Sequence, residues 1–331
     1  MKVPRRRFLH LAAGAAAISV ISASMILLSG QGAWSETQRT IKIVVPVPPG
    51  GGMDFLVRLL ADQIGRTQGL TILVESRPGA GGRIATDAVS RAAPDGATLL
   101  IQSPSFVIDP HLRKLSYDPL TSFEPVCDLV AAPNVIVVNS ASPYRTLADL
   151  VIAARSKPGD LTIASIGPAS NQHMAIEMLK RMANIDLTYV PYSGSAPTVN
   201  ALLGEHVTSL MAAYANLAEQ SEAGKLRALA AASRTRIEQL PNVPTVAESG
   251  YKDFAVDNWF GVVAPAKTSK EMVSQFAVWF AAALQVPEVK AKLVTQGLYP
   301  VAICGADFGA LLRKQSDEYG RLIRDLGIKA E

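Results

Sequence analysis

The 331-residue chain is 49% hydrophobic and 18% charged, enough apolar material to fill the cores of two ordinary domains. Its formal charge of +4 belongs to the N-terminus. Lys2, Arg5, Arg6 and Arg7 account for four of the 32 basic residues, and the remainder balances 28 with 28 acidic residues. No basic stripe is left to argue for nucleic acid.

Residues 1–35 read as a targeting segment. Arg5-Arg6-Arg7-Phe8-Leu9 is a twin-arginine pattern, and an uncharged, mildly apolar run follows from Leu11 to Leu28. Ala33-Trp34-Ser35 places small residues where a signal peptidase reads, so cleavage is expected before Glu36 rather than retention as a membrane anchor. No second segment is long enough to cross a membrane.

The β-branched run Ile41–Val45 predicts a short buried strand, and Leu56, Leu59, Leu60 and Ile64 fall at helical spacing. Between them lies Pro48-Pro49-Gly50-Gly51-Gly52-Met53-Asp54. Proline stops the strand, and glycine permits positive φ and close approach. The first N–H groups of a helix lack internal partners and face the positive end of its dipole. Strand, glycine turn and helix start together form a cup suited to an anion. The spacing fits neither a phosphate loop nor a dinucleotide fingerprint.

The pattern recurs along the chain. Thr71–Val74, Arg77-Pro78-Gly79-Ala80-Gly81-Gly82 and a helix through Ile84 and Val89 form a second unit. A right-handed crossover would bring its turn to the same sheet edge as the first. Ala97–Gln102 predicts the next strand, ending in Ser103-Pro104-Ser105 with two hydroxyls. Asn134–Val138 predicts another, and the crossing between domains is placed near Val138. Leu161–Ala164 leads to Ala169-Ser170-Asn171-Gln172-His173, a third helix start. His173 is read as orienting the loop or a ligand rather than as a general base, because no nucleophile and acid partner accompany it. Leu187–Val190 leads to Tyr192-Ser193-Gly194, a fourth cup. Val207–Met211 and Leu226–Ala232 predict two further strands, the former ending at Ala212. Trp259–Pro265 reads as the return crossing. From Ser269 the pattern is helical, and Met272, Phe276, Trp279 and Phe280 form a stripe assigned to core. Cys127 and Cys304 have no metal-ligand neighbours, so neither metal nor cofactor is expected. Two buried free thiols are favoured over a bridge.

Several stretches in order resemble the Bug receptors, the periplasmic solute-binding components of tripartite tricarboxylate transporters. They are Pro49–Asp54, Glu75–Gly82, Pro94–Gly96 with Thr98–Leu100, Val190–Gly194, Gly224–Leu229 and Leu240–Gly250, with Trp259 and Ala264-Pro265. The resemblance implies an α/β, type II periplasmic-binding-protein (Venus flytrap) fold. Residues 36–138 plus 257–331 would form one lobe and 139–256 the other. It further implies a monomer that holds a small organic carboxylate and passes it to membrane transporter subunits without chemistry. An exported hydrolase or oxidoreductase, or a ligand-sensing subunit, are the competing readings. Backbone N–H groups, hydroxyls and water would hold the charge, and no arginine clamp stands out. The expected contacts are Pro49, Gly51, Gly52, Met53, Asp54, Ser103 and Ser105 from one lobe. Ala169, Ser170, His173, Tyr192, Gly194 and Ala212 would come from the other. Met53 stands where the family usually has Thr or Ser. Met211-Ala212 stands where it usually has an aromatic and often an acidic residue. Both departures imply a more apolar or aromatic carboxylate than citrate or aspartate.

Overall fold

The computed structural model describes residues 40–256 and 258–328. The export signal and its cleavage site lie outside them. Among the described residues no helix is long and apolar enough to cross a membrane.

The chain begins as alternating strands and helices: β1 (Thr40–Val45), α1 (Gly52–Gln68), β2 (Thr71–Ser76), α2 (Arg83–Ser90), β3 (Thr98–Gln102), α3 (Ser105–Leu112) and β4 (Phe123–Ala131). It then enters a second set: β5 (Asn134–Asn139), α4 (Leu147–Ser156), β6 (Thr162–Ile166), α5 (Asn171–Ala183), β7 (Thr188–Tyr192), α6 (Ser195–Leu203), β8 (Ser209–Ala213), α7 (Ala218–Glu222) and β9 (Leu226–Ala231). It returns through β10 (Trp259–Pro265), α8 (Lys270–Gln285), α9 (Pro287–Thr295), β11 (Tyr299–Cys304) and α10 (Ala306–Leu326).

Two sheets result, ordered β11-β4-β10-β3-β1-β2 and β7-β6-β8-β5-β9. Side chains of each inner strand alternate between two cores, as the pleat requires. Ile43 and Val45 pack with Leu56, Leu60 and Phe276, whereas Val44 packs with Leu100, Val263 and Phe308. In the second sheet Ile136 and Val138 join Ile163 and Leu179, and Val135 and Val137 join Leu202 and Leu210. Burial of each such side chain stabilises by about 1.5–3 kcal/mol. The stripe on α8 is core: Phe276 and Phe280 are buried, with Met272 and Trp279 packed beside them. Local signals set the ends. Gly69 closes α1 at φ 65, and Thr146 with Asp149 forms a capping box on α4.

β1 pairs in parallel with β2 and β3, and β6 with β7 and β8. The turns after β1, β2 and β3 therefore share one edge of the first sheet, and those after β6 and β7 share an edge of the second.

Two expectations are corrected, and two strands are added. β5 pairs with β8 and β9, so the chain leaves the first sheet before Asn134 and not near Val138. β4 and β11 form strands that the pattern conceals. β4 carries Pro125 and Asp128, while β11 is only half-buried and carries Pro300. These two strands put Cys304 opposite Cys127, and the cysteines are joined as a disulfide rather than left as free thiols. The passages between the sheets are bonded to each other. Ala132 N–H donates to Asn258 O at 2.8 Å, and Asn258 Nδ2 donates to Ala132 O at 2.8 Å. The two connections thus form one hinge.

Candidate functional site

The helix starts of both sheets converge on a cavity of about 660 Å³. Gly51 and Met53 reach it from the start of α1, Gly79–Arg83 from the start of α2, and Ser103 and Ser105 from α3. Ala169–Gln172 come from α5 and Ser193–Ser195 from α6. Val47, Ile166, Tyr192 and Phe260 add apolar wall.

At the start of α1 the loop is held by its own acid. Asp54 Oδ2 accepts from Gly50 N–H at 3.1 Å, and both Asp54 oxygens accept from Arg58 Nε at 3.0 Å. Gly52 N–H is not open toward the cavity, because it donates to Asn216 Oδ1 of the second lobe at 2.9 Å. A Cβ on Gly52 would stand 2.6 Å from Ala215 Cβ, and one on Gly194 would stand 3.2 Å from Pro48 Cγ. Glycine is needed at these two positions for the lobes to meet.

At the start of α5, Ser170 is fully engaged. Its hydroxyl donates to Gly167 O at 2.9 Å and accepts from His173 N–H at 3.2 Å, a cap worth about 1 kcal/mol. His173 stacks on Tyr189 with ring centroids 4.1 Å apart, and its Nδ1 meets Pro168 O. Tyr189 Oη donates to Gly167 O at 2.7 Å, so both rings brace the turn 167–170. A buried amide chain supports the same wall: Gln172 Nε2 donates to Asn134 Oδ1 at 3.1 Å, and Asn134 Nδ2 to Asn171 Oδ1 at 3.4 Å. Gly194 starts α6 without a side-chain cap, and Pro197 has no N–H to offer. First-turn N–H groups of α6 therefore face the cavity end of the helix dipole. The Ser103 and Ser105 hydroxyls lie 3.0 Å apart at the start of α3.

Of the residues expected from sequence, Gly51, Met53, Ser103, Ser105, Ala169, Ser170, Tyr192 and Gly194 lie on this wall. Pro49, Gly52, Asp54, His173 and Ala212 do not. Asp54 and His173 are buried braces for their loops, Gly52 faces Ala215, and Pro49 is exposed. Met211 and Ala212 point into the two cores of the second sheet, and Ala213 takes the wall position. The Met211-Ala212 pair therefore gives the cavity no apolar surface.

Sequence reasoning missed Asn216, Asn258, Gln102 and a charged group. Asp109 Oδ1 lies 2.8 Å from Arg113 Nε, and Asp109 Oδ2 lies 3.8 Å from Arg83 Nε. All three line the cavity. Burial pushes the Asp109 carboxyl above its ordinary range, against the pull of Arg113 and Arg83. Two arginines are therefore present on the wall, although no arginine clamp stands out in the sequence. Their sequence signal is weak: Asp109 and Arg113 merely share an i,i+4 spacing, and Arg83 is distant in the chain.

A model of the tripartite tricarboxylate transporter family receptor matches residues 56–328. The protein from the tcbD-tcbE intergenic region of Pseudomonas sp. strain P51 is 33% identical over 294 residues, covering 88% of each chain. The structure of the periplasmic binding protein BugD is 32% identical at a TM-score of 0.83, covering 89% of this chain and 99% of that one. Rpa4515 of R. palustris, solved with adipate, is 30% identical at a TM-score of 0.85, with the same coverage of both chains. Helix starts from two hinged α/β lobes, turned toward one cavity, thus belong to a chain that is a member of the tripartite tricarboxylate transporter receptor family.

Proposed function

We propose that the protein captures a small organic carboxylate between its lobes and delivers it, unchanged, to the membrane subunits of a tripartite tricarboxylate transporter. The observation that carries this reading is the convergence of helix N-termini from both sheets on one cavity, where the positive ends of the helix dipoles favour negative charge. The adipate bound to a relative of similar fold supports the same ligand class. Closure excludes water and strengthens each hydrogen bond to the ligand.

The ligand body is apolar or aromatic, in keeping with Val47, Met53, Ile166, Tyr192 and Phe260 on the wall. Gly51, Met53, Ser103, Ser105, Ala169, Ser170, Tyr192 and Gly194 are its contacts, with Asn216 added. Pro49, Gly52, Asp54 and His173 act by shaping the loops. One lobe comprises residues 40–132 together with 258–328, and the other comprises 134–256. The protein works as a monomer in the periplasm, reached by a twin-arginine signal cleaved before Glu36. Mass spectrometry of the exported protein checks that cut.

The test is a thermal-shift screen of the mature chain against mono-, di- and aromatic carboxylates, sugars and metal ions. A ligand that prefers the folded state raises the melting midpoint. Carboxylates are expected to dominate the hits, and a set made up of sugars or cations overturns the reading.

A further inference from the structure

The turn that carries Asn216 touches the first lobe on two sides. Tyr214–Asn216 is a single 3-10 turn at the end of β8. Ala215 and Asn216 meet Gly52 at the start of α1. Tyr214 is buried and lies against Gly297, in the link between α9 and β11. Gly297 has φ 67, and a Cβ there would collide with the Tyr214 ring, so glycine is what lets the ring seat.

Two residues beyond Gly297 the lobes are bonded again. Tyr299 Oη, on β11, accepts from Glu238 N–H at 3.0 Å and donates to Gln239 Oε1 at 2.7 Å. Gln239 Nε2 in turn donates to Val294 O of α9. Glu238 and Gln239 follow β9 of the second sheet, whereas Val294 and Tyr299 belong with the first.

Tyr299 is a fixed post. It pairs with Ala131 at one end of β11, and Cys304 at the other end is bridged to Cys127. Ala131 also pairs with Trp259, so Tyr299 stands level with the hinge passages at Ala132 and Asn258. The strand order puts the hinge strands β4 and β10 between β11 and the helix starts that follow β3, β1 and β2. At about 4.8 Å per strand, β11 is about 19 Å from β1. Neither Tyr299 nor Gln239 lines the cavity. These bonds therefore grip the lobes from the far side of the hinge. A rotation that frees Asn216 from Gly52 also carries Tyr214 off Gly297 and Gln239 away from Tyr299. A displacement of about an ångström takes such bonds out of hydrogen-bond range.

We infer that Tyr299 and Gln239 are positioning residues, which bias the lobes toward the closed arrangement from outside the ligand site. The inference rests on the capture reading above for its purpose and on the interlobe bonds for its geometry. A larger closed fraction raises the apparent affinity of every ligand by the same factor, since none touches this bracket.

The experiment is amide hydrogen exchange of the mature chain without added ligand, resolved at Gly52. As the first residue of α1, Gly52 has no acceptor for its N–H within the helix, and Asn216 of the other lobe supplies one. Its protection therefore reports the closed fraction. The wild type is expected to slow this exchange about tenfold or more relative to an unstructured amide, and Asn216→Ala to remove that protection. Tyr299→Phe and Gln239→Ala are each expected to speed it roughly threefold or more, while amides within β1 and β6 keep their rates. Unchanged exchange at Gly52 in both variants overturns the inference. So does faster exchange spread evenly over both sheets, which would make the bracket a matter of stability alone, and so does a wild-type Gly52 amide with no protection. None of these results touches the carboxylate reading, which the thermal screen decides.

Discussion

Asn216 and Gly52 lie 164 residues apart, on different lobes, and are joined by a hydrogen bond of 2.9 Å from Gly52 N–H to Asn216 Oδ1. The side-chain oxygen does for α1 what an N-cap residue does within one helix, since Gly51 has no side chain to offer. The cap forms only when the lobes meet, which makes it a latch. Loss of such a bond costs about 0.5–1.5 kcal/mol. Asn216→Ala is therefore expected to weaken ligand affinity roughly two- to twelvefold by calorimetry, the fold-change that this energy range corresponds to. Unchanged affinity would show that closure does not depend on this bond.

Gly52 allows a test in which stability and binding move in opposite directions. It is the first residue of α1, and its φ is not among the positive ones, so alanine fits the backbone and favours the helix. Its Cβ would nevertheless stand 2.6 Å from Ala215 Cβ across the cleft. Gly52→Ala is expected to keep or raise the melting midpoint without ligand and to lower affinity at least tenfold. A fall in the midpoint with affinity intact would place the constraint within the first lobe instead.

The bridge between Cys127 and Cys304 spans a sequence separation of 177 residues, a loop that contains the whole second sheet. Closing a long loop removes entropy from the unfolded chain and stabilises by about 2–5 kcal/mol. Reduction is expected to lower the midpoint by roughly 4–20 °C, at about 2–4 °C per kcal/mol. A scan with and without a phosphine reductant checks this. A midpoint indifferent to the reductant, with thiol titration confirming reduction, would mean that the bridge adds no stability.

The helix starts and their glycine turns were legible because proline, glycine and β-branched runs act locally. Gly51, Ser105, Ala169 and Gly194 follow from that grammar and do line the cavity. The bridge was not legible, because both of its strands break the strand pattern: Pro125 and Asp128 interrupt β4, and positive φ at Ala302 interrupts β11. Asp54 and His173 have the right chemistry at the right positions, yet they are spent on bracing their own turns. Asn216, and the approach of Arg83 to the i,i+4 pair Asp109–Arg113, depend on tertiary contact between distant segments, which no local pattern encodes.

Asp128 makes stability depend on pH. It is buried in β4, and its Oδ1 has no partner among the described residues. Burial alone pushes its carboxyl from an ordinary 3.8 up to about 8. Below pH 4 it is neutral in both folded and unfolded chains. Between about 4 and 8 the unfolded chain releases the proton while the folded one retains it, so stability falls as pH rises. Asp128→Asn is expected to gain little at pH 4 and progressively more up to pH 8 in denaturant melts. A gain independent of pH would indicate that the carboxyl titrates normally.

The most direct measurement is a crystal structure of the mature chain with the strongest carboxylate from the thermal screen. The account predicts carboxylate oxygens within hydrogen-bond distance of first-turn N–H groups from helices of both sheets, with the lobes latched by Gly52 and Asn216. A ligand resting on one lobe alone, or on the outer surface, would contradict it.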